Sequence, residues 1–382
     1  MRKTEARYYD AHTHLSAGAC DLLGLDLRNV DAASLLSSAL AEAVARAKPR
    51  SWVRGWGWDG ATAIAEERES SPVFIARRDG HAAWVNRAAR AVLGLSPSQS
   101  VISDEAFDAA RTKLPERSQE EKLAAIRQRI FELQLLAIVA IDDMVEPWGP
   151  EIYAHMRDRG ELVVAVGLWL PESIPGSEAT AIRRAFPGEH DRLALRGIKL
   201  FLDGTLGART AALSEPYADD PGTAGALRIP ESELDERVSR WTRRGFPVAI
   251  HALGDRAVTL ALDVLERAPR SEMGPHRIEH AQVVQRSDLP RFAAAGIVAS
   301  VQPGHWLDDR PWLAERLGHR PEVVVHPLGS LSRAGAKLVF GSDWPVSDWD
   351  PQRVLAAATD PRRSGEAVAA AAADAWYTSR PR

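Results

Sequence analysis

The sequence predicts an α/β fold, a closed (β/α)8 TIM barrel, on three observations. Eight short apolar runs bounded by polar or turn residues recur along the 382 residues, as buried parallel strands do. Most are separated by stretches with polar starts and helical spacing of apolar residues, the alternation expected of βα units. Several runs finish in His or Asp, and the C-terminal strand ends of such barrels are where polar side chains converge.

In order, the runs are RYYDAHTHL (7–15), AIVAIDDMV (137–145), LVVAVGLWL (162–170), GIKLFLDG (197–204), PVAIHALG (247–254), RIEHAQ (277–282), IVASVQP (297–303) and KLVFGSDWP (337–345). Between them SQEEKLAAIRQRIFELQLLA, ESELDERVSRWTRRG and RAVTLALDVLERA read as outer helices, and an alanine-rich helix is expected near the C-terminus. The first interval differs from the rest. About 120 residues separate the first two runs, far more than one crossover helix uses. They hold SWVRGWGWDG and then SPVFIARRDGHAAWVNRAARAVLG, an extended segment followed by a helix. The expectation is one barrel domain over 1–382 with an inserted capping subdomain at 50–100.

Composition narrows the partners. Lys plus Arg total 48 against 52 Asp plus Glu, for a net charge of -4, so no basic field points to nucleic acid. No apolar stretch is long enough to span a bilayer, and the first residues lack the apolar run of a signal peptide. Cys20, the only cysteine, has no partner for an internal disulfide. A cytoplasmic protein acting on a small molecule is expected, without a nucleic-acid or membrane partner and with homo-oligomerisation open. Only 6 of the 48 basic residues are Lys, and 12 residues are Trp; a Lys inside an apolar strand therefore needs a reason.

His12 and His14 are two apart at the end of the first run, so both side chains project to one face. They read either as a chelate for zinc or another first-row ion or as a hydrogen-bonded core pair. Repetition favours the chelate, because His251 ends the fifth run, His280 the sixth and Asp343 the eighth. Lys199 lies within the apolar fourth run, where an unpaired ammonium is costly. Its amine either pairs with Asp203 or has reacted with carbon dioxide, giving a carbamate whose two oxygens can bridge two metals. Asp142 and Asp143 end the second run, either holding the site's ligands from behind or capping helices. Arg209 is open between a substrate contact and a salt bridge. Trp169, Trp306 and Trp344 follow three runs, and Trp56, Trp58, Trp84 and His81 lie in the insertion. Such aromatics suggest an apolar pocket, although some must be core.

The ordered segments DAHTHL, GIKLFLDGTLGARTAAL, AIHALGDRAV, HRIEHAQVV, SVQPGHW and GSDWPVSDWDP, with RRDGHAAWVNRAA in the insertion, resemble the amidohydrolase superfamily, specifically family 3. This is the YtcJ-like branch that includes N-substituted formamide deformylase, and the likeness runs over residues 7 to 378. The resemblance implies a barrel of the metal-dependent hydrolase type, with His12, His14 and Asp343 on one metal, His251 and His280 on the other, and carboxylated Lys199 bridging both. Family members usually add a small β-sandwich from segments flanking the barrel; with only about nine residues before DAHTHL, the sandwich is expected to be missing here.

The function expected is hydrolysis of a C–N bond, of amide or N-formyl type, by hydroxide made at two divalent ions, with zinc the expected metal and Asp343 as general base and then acid. His81, Trp84, Trp56, Arg209 and Trp306 are the expected substrate contacts. Esters and lactones are chemically open to such a site. Two other readings use the same barrel: a mononuclear deaminase-like enzyme without a carbamate, and a non-catalytic binding or regulatory relative.

Overall fold

The computed structural model describes residues 7–28, 30, 32–48, 50–60, 62, 64, 71–186 and 192–379. Two compact units divide the chain, one of Met1–Ser16 with Arg127–Arg382 and the other Ala17–Ile126.

In the larger unit each apolar run contains a strand. These are β1 (Tyr8–Thr13), β2 (Ile138–Met144), β3 (Ala165–Pro171), β4 (Leu193–Phe201), β5 (Val248–Ala252), β6 (Arg277–His280), β7 (Val298–Val301) and β8 (Lys337–Phe340). They form one sheet in chain order, every neighbouring pair parallel. Closure is made just past β8, where the Asp343 amide donates to the His12 carbonyl and the His14 amide to the Trp344 carbonyl, both at 2.7 Å. Gly341 permits it: a Cβ there would stand 2.5 Å from the His12 Cβ, a distance no side chain tolerates. Tyr9, Ala11, Ala140, Val298 and Val339 form an apolar cluster contributed by β1, β2, β7 and β8.

The outer helices follow from their patterns. The helix Asp255–Arg267 buries Ala257, Val258, Ala261, Leu262, Val264 and Leu265 on one face, and carries Asp255 in its first turn and Arg267 in its last, each complementing the helix dipole. Burying each larger aliphatic contributes about 1.5–3 kcal/mol. Among the described residues no helix is long and apolar enough to cross a membrane.

The second unit has a five-stranded mixed sheet in the order Leu25–Asp26, Val53–Trp58, Val73–Arg77, Ala82–Val85 and Val101–Ser103. The first two pairings are parallel and the last two antiparallel. Its core joins Leu36 and Leu40 of the helix Ala33–Arg46 to Val53, Trp58, Val73, Ile75 and Trp84. The sheet thus recruits strands on both sides of residues 50–100.

Candidate metal centre

The C-terminal strand ends gather imidazoles around one carboxylate. Asp343 Oδ1 lies 3.4 Å from His12 Nε2 and 3.3 Å from His14 Nε2, while its Oδ2 lies 3.4 Å from His305 Nε2 and 4.0 Å from His280 Nδ1. Among the described residues two groups can each hold an ion, His12 with His14 and Asp343, and His280 with His305 and Asp343. His280 and Asp343 sit at φ 76° and 61°, left-handed backbone that costs a non-glycine residue roughly 1–3 kcal/mol and clusters at functional sites. Burial lowers the His280 pKa well below the usual range, so its ring is neutral, the form that donates a lone pair to a metal. Burial alone raises the Asp343 pKa, but His12, His14 and His305 outweigh it and hold the carboxyl well below the ordinary value.

His305, in the second candidate group, and Glu279, beside His12, are not singled out by the sequence. His305 is buried in the first turn of the helix Pro303–Asp309 and stacks on His280 at 5.9 Å and 11°. Its Nδ1 meets the Gln282 side-chain amide at 3.0 Å, which leaves Nε2 toward Asp343. Glu279 lies on β6 with an oxygen 2.5 Å from His12 Nδ1. An ionised carboxylate only accepts, so Nδ1 carries a proton, and in the neutral ring the lone pair is on Nε2. Burial opposes ionisation of Glu279, but Arg277 and His12 outweigh it and pull its pKa well below the usual range. The expected alternatives for the β2 aspartates resolve by contact. Asp143 accepts from the Ser16 amide at 3.0 Å, capping the helix Leu15–Asp21, and from the Tyr153 hydroxyl at 2.7 Å. Asp142 accepts from the Tyr9 hydroxyl, the Trp169 indole and Arg277.

Lys199 and His251 lie beside these two groups rather than within them. The Lys199 amine is buried without a hydrogen-bond partner and lies 4.9 Å from the centre of the Phe201 ring. Burial lowers its pKa to about 8, against the opposing pull of Glu279 and Asp343. Asp203 is engaged elsewhere: it accepts from the Ala212, Leu253 and Gly254 amides at 2.9–3.0 Å. Gly254 is required for that approach, since a Cβ there would meet the Ala212 carbonyl oxygen at 2.0 Å. His251 directs Nε2 at the Gly204 carbonyl, 3.1 Å away, and its ring centre is 4.6 Å from that of His280.

Of the expected substrate contacts, Trp84 is buried in the core of the second unit together with Trp58. Trp56 is buried with no hydrogen-bond partner at its indole nitrogen among the described residues, and His81 is buried with Nδ1 3.6 Å from the Asp104 carboxylate. Arg209 makes a two-pronged pair with Asp219 at 3.1 and 2.7 Å, the salt-bridge alternative of its two readings. Trp306 is buried with the guanidinium groups of Arg310, Arg362 and Arg363 within 5.1–5.9 Å of its ring centre. Trp344 stacks on Trp349 at 4.2 Å.

The donor set fits divalent metal. Among the described residues His12 Nε2, His305 Nε2, Asp343 Oδ1 and the Lys199 amine are all buried without hydrogen-bond partners, and buried polar atoms are otherwise almost always satisfied. His12, His14 and Asp343 would hold one ion, with His280 and His305 within reach of a second through the other oxygen of Asp343.

Comparison with known proteins agrees with that chemistry. The chain is 28% identical to Protein LONG AFTER FAR-RED 3 of Arabidopsis thaliana over 90% of its own length, and spans 66% of that relative. It is 22% identical to the N-substituted formamide deformylase of Arthrobacter pascens, over 98% of this chain and 78% of that one. The crystal structure of an uncharacterized metal-dependent hydrolase from Pyrococcus horikoshii superimposes with a TM-score of 0.78 at 29% identity, covering 97% of this chain and 79% of that one. The model of the amidohydrolase family matches residues 9–379, and with the barrel and its His/Asp strand ends already in place, the chain belongs to that family.

Proposed function

We propose that this chain is a metal-dependent hydrolase that cleaves a C–N bond of amide or N-formyl type in a small molecule, with two zinc ions and a carboxylated Lys199. The observation that carries the reading is the convergence of buried donors without partners, His12 Nε2, His305 Nε2, Asp343 Oδ1 and the Lys199 amine, at one barrel pole. Bound there, divalent ions supply Lewis acidity to a scissile carbonyl and lower the pKa of water. The chain's residues do the rest. Asp343 accepts the proton of the attacking water and delivers it to the leaving nitrogen, as base and then acid. Glu279 holds His12 in the tautomer that presents Nε2. His251 and His280 are assigned to the second ion with Lys199 between the two, a role its unbonded buried amine supports. The likeness to a formamide deformylase supports the N-formyl class. Recognition of the rest of the substrate is assigned to Trp306, since Asp343 reaches only atoms around the reacting bond.

A mononuclear reading has one specific observation in its favour: Asp343 is common to both donor groups, and His305 adds an imidazole without calling on Lys199. Elemental analysis of protein purified without added ions and then reconstituted with zinc separates the two. Close to two zinc per chain, with turnover in a screen of N-acyl and N-formyl amines, is the expected result; one ion or fewer ends the binuclear model, and no turnover of any amide ends the C–N assignment. Lys199→Ala should lose most activity and much of the metal, with partial rescue by small carboxylates. Unchanged activity would remove Lys199 from the centre.

A further inference from the structure

Beneath the strand-end histidines lies a buried ionic network of which the proposed reaction uses only Glu279. Arg277 and Glu279 are two apart on β6, so the period of a strand places them on the same face, opposite to Ile278 and His280. The Arg277 guanidinium donates to Glu279 at 2.7 and 3.2 Å, to Asp142 at 2.8 Å, to the Ala11 carbonyl at 2.6 Å and to Ser300 Oγ at 2.7 Å. It also lies 4.9 Å from the centre of the Trp169 ring. One side chain therefore touches β1, β2, β3, β6 and β7. Asp142 is held in turn by the Tyr9 hydroxyl at 2.6 Å and the Trp169 indole at 3.1 Å, with Arg196 3.5 Å from its other oxygen. The network ends at His12 through the 2.5 Å contact of Glu279.

Stability is a weak reason to keep such charges in a barrel interior, because well-packed neutral groups serve as well or better. Orientation is a stronger one. A ligating imidazole whose second nitrogen donates to a carboxylate has its tautomer and ring direction set, and loss of that partner weakens metal binding. We infer that Arg277, Glu279 and Asp142 form a positioning relay, in which Arg277 aims Glu279 and Glu279 fixes His12 Nε2 toward the metal. The inference rests on the metal-centre reading above, which assigns no role to Arg277 or Asp142.

The test measures zinc dissociation constants by competition with a chromophoric chelator, beside thermal unfolding of the metal-free proteins. Glu279→Gln keeps the reach to His12 and removes the charge; its folded form should bind zinc about 10–100-fold more weakly. Because it leaves Arg277 short of a counter-charge and can misfold, a second variant carries Arg277→Met with Glu279→Gln, removing both charges at once, and the same weakening is expected in it. Ser300→Ala deletes one contact of Arg277 while leaving Glu279 in place and should stay within about twofold of the wild type. Zinc affinity within about twofold of wild type in either Glu279 variant overturns the relay, as does a Ser300→Ala loss equal to theirs, which would mean general loosening. A wild-type chain that binds no zinc overturns the metal-centre reading and the relay together, so the two failures are distinguishable.

Discussion

The chain just beyond β4 and the chain just beyond β8 each bury an aspartate, and the two carboxylates are used in opposite ways. Asp203 accepts three backbone amides and ties the segment after β4 to the segment after β5. Asp343 is ringed by imidazoles, has an oxygen with no hydrogen-bond partner and sits on left-handed backbone. An acid that holds three main-chain amides serves the scaffold; one with an unbonded oxygen among imidazoles is poised for a ligand.

Substitution can break that contrast. The largest effect is expected for Asp343→Asn, which should lower kcat/KM by roughly a hundred- to ten-thousand-fold while thermal stability of the metal-free protein changes little; a kinetic loss matched by Asp203→Asn would erase the distinction. Trp84 extends the same logic to the second unit. Its ring is core, so Trp84→Ala should cost about 3–5 kcal/mol in chemical denaturation, with metal content of the folded fraction kept. A stable variant with damage confined to bulky substrates would return Trp84 to substrate contact. Asp203→Asn should destabilise by about 3 kcal/mol, since hydrogen bonds to a charged group contribute about 1.5–3 kcal/mol each, and its folded fraction should hold zinc normally. Arg209→Ala should be the mildest. Its pair with Asp219 is partly exposed, and such pairs are worth below about 1 kcal/mol; a marked rise in KM would instead make Arg209 a substrate contact.

The barrel is legible in the sequence because each strand is a compact apolar run, and parallel strands buried on both faces require such runs. β4 begins earlier than GIKLFLDG suggests, because LAL at 193–195 extends the ladder across Arg196. The strand-end His and Asp are legible for the same reason, as polar breaks in apolar text. His305 escapes notice because it belongs to a helix turn after the strand, where periodicity carries no signal for ligands. Glu279 could have been found: in RIEH a positive and a negative residue two apart inside a buried strand must face one another, and the only solvent for such a pair is itself and its neighbours. The extent of the second unit is harder to read. Its outer strands are only two and three residues long, too short to leave a period-2 pattern.

The seam described at Gly341 has a consequence for how the molecule comes to exist. The hydrogen bonds that join the first strand to the end of the last run through His12 and His14 on one side and Asp343 and Trp344 on the other. Zipping the cylinder shut and bringing the three donors of one metal group together are thus a single event. A chain whose first strand has not docked exposes two raw sheet edges, the kind of surface that pairs with other chains, and at the same time lacks a centre. For the group His12, His14 and Asp343, the contacts that close the sheet edges are thus the same ones that bring the donor atoms together.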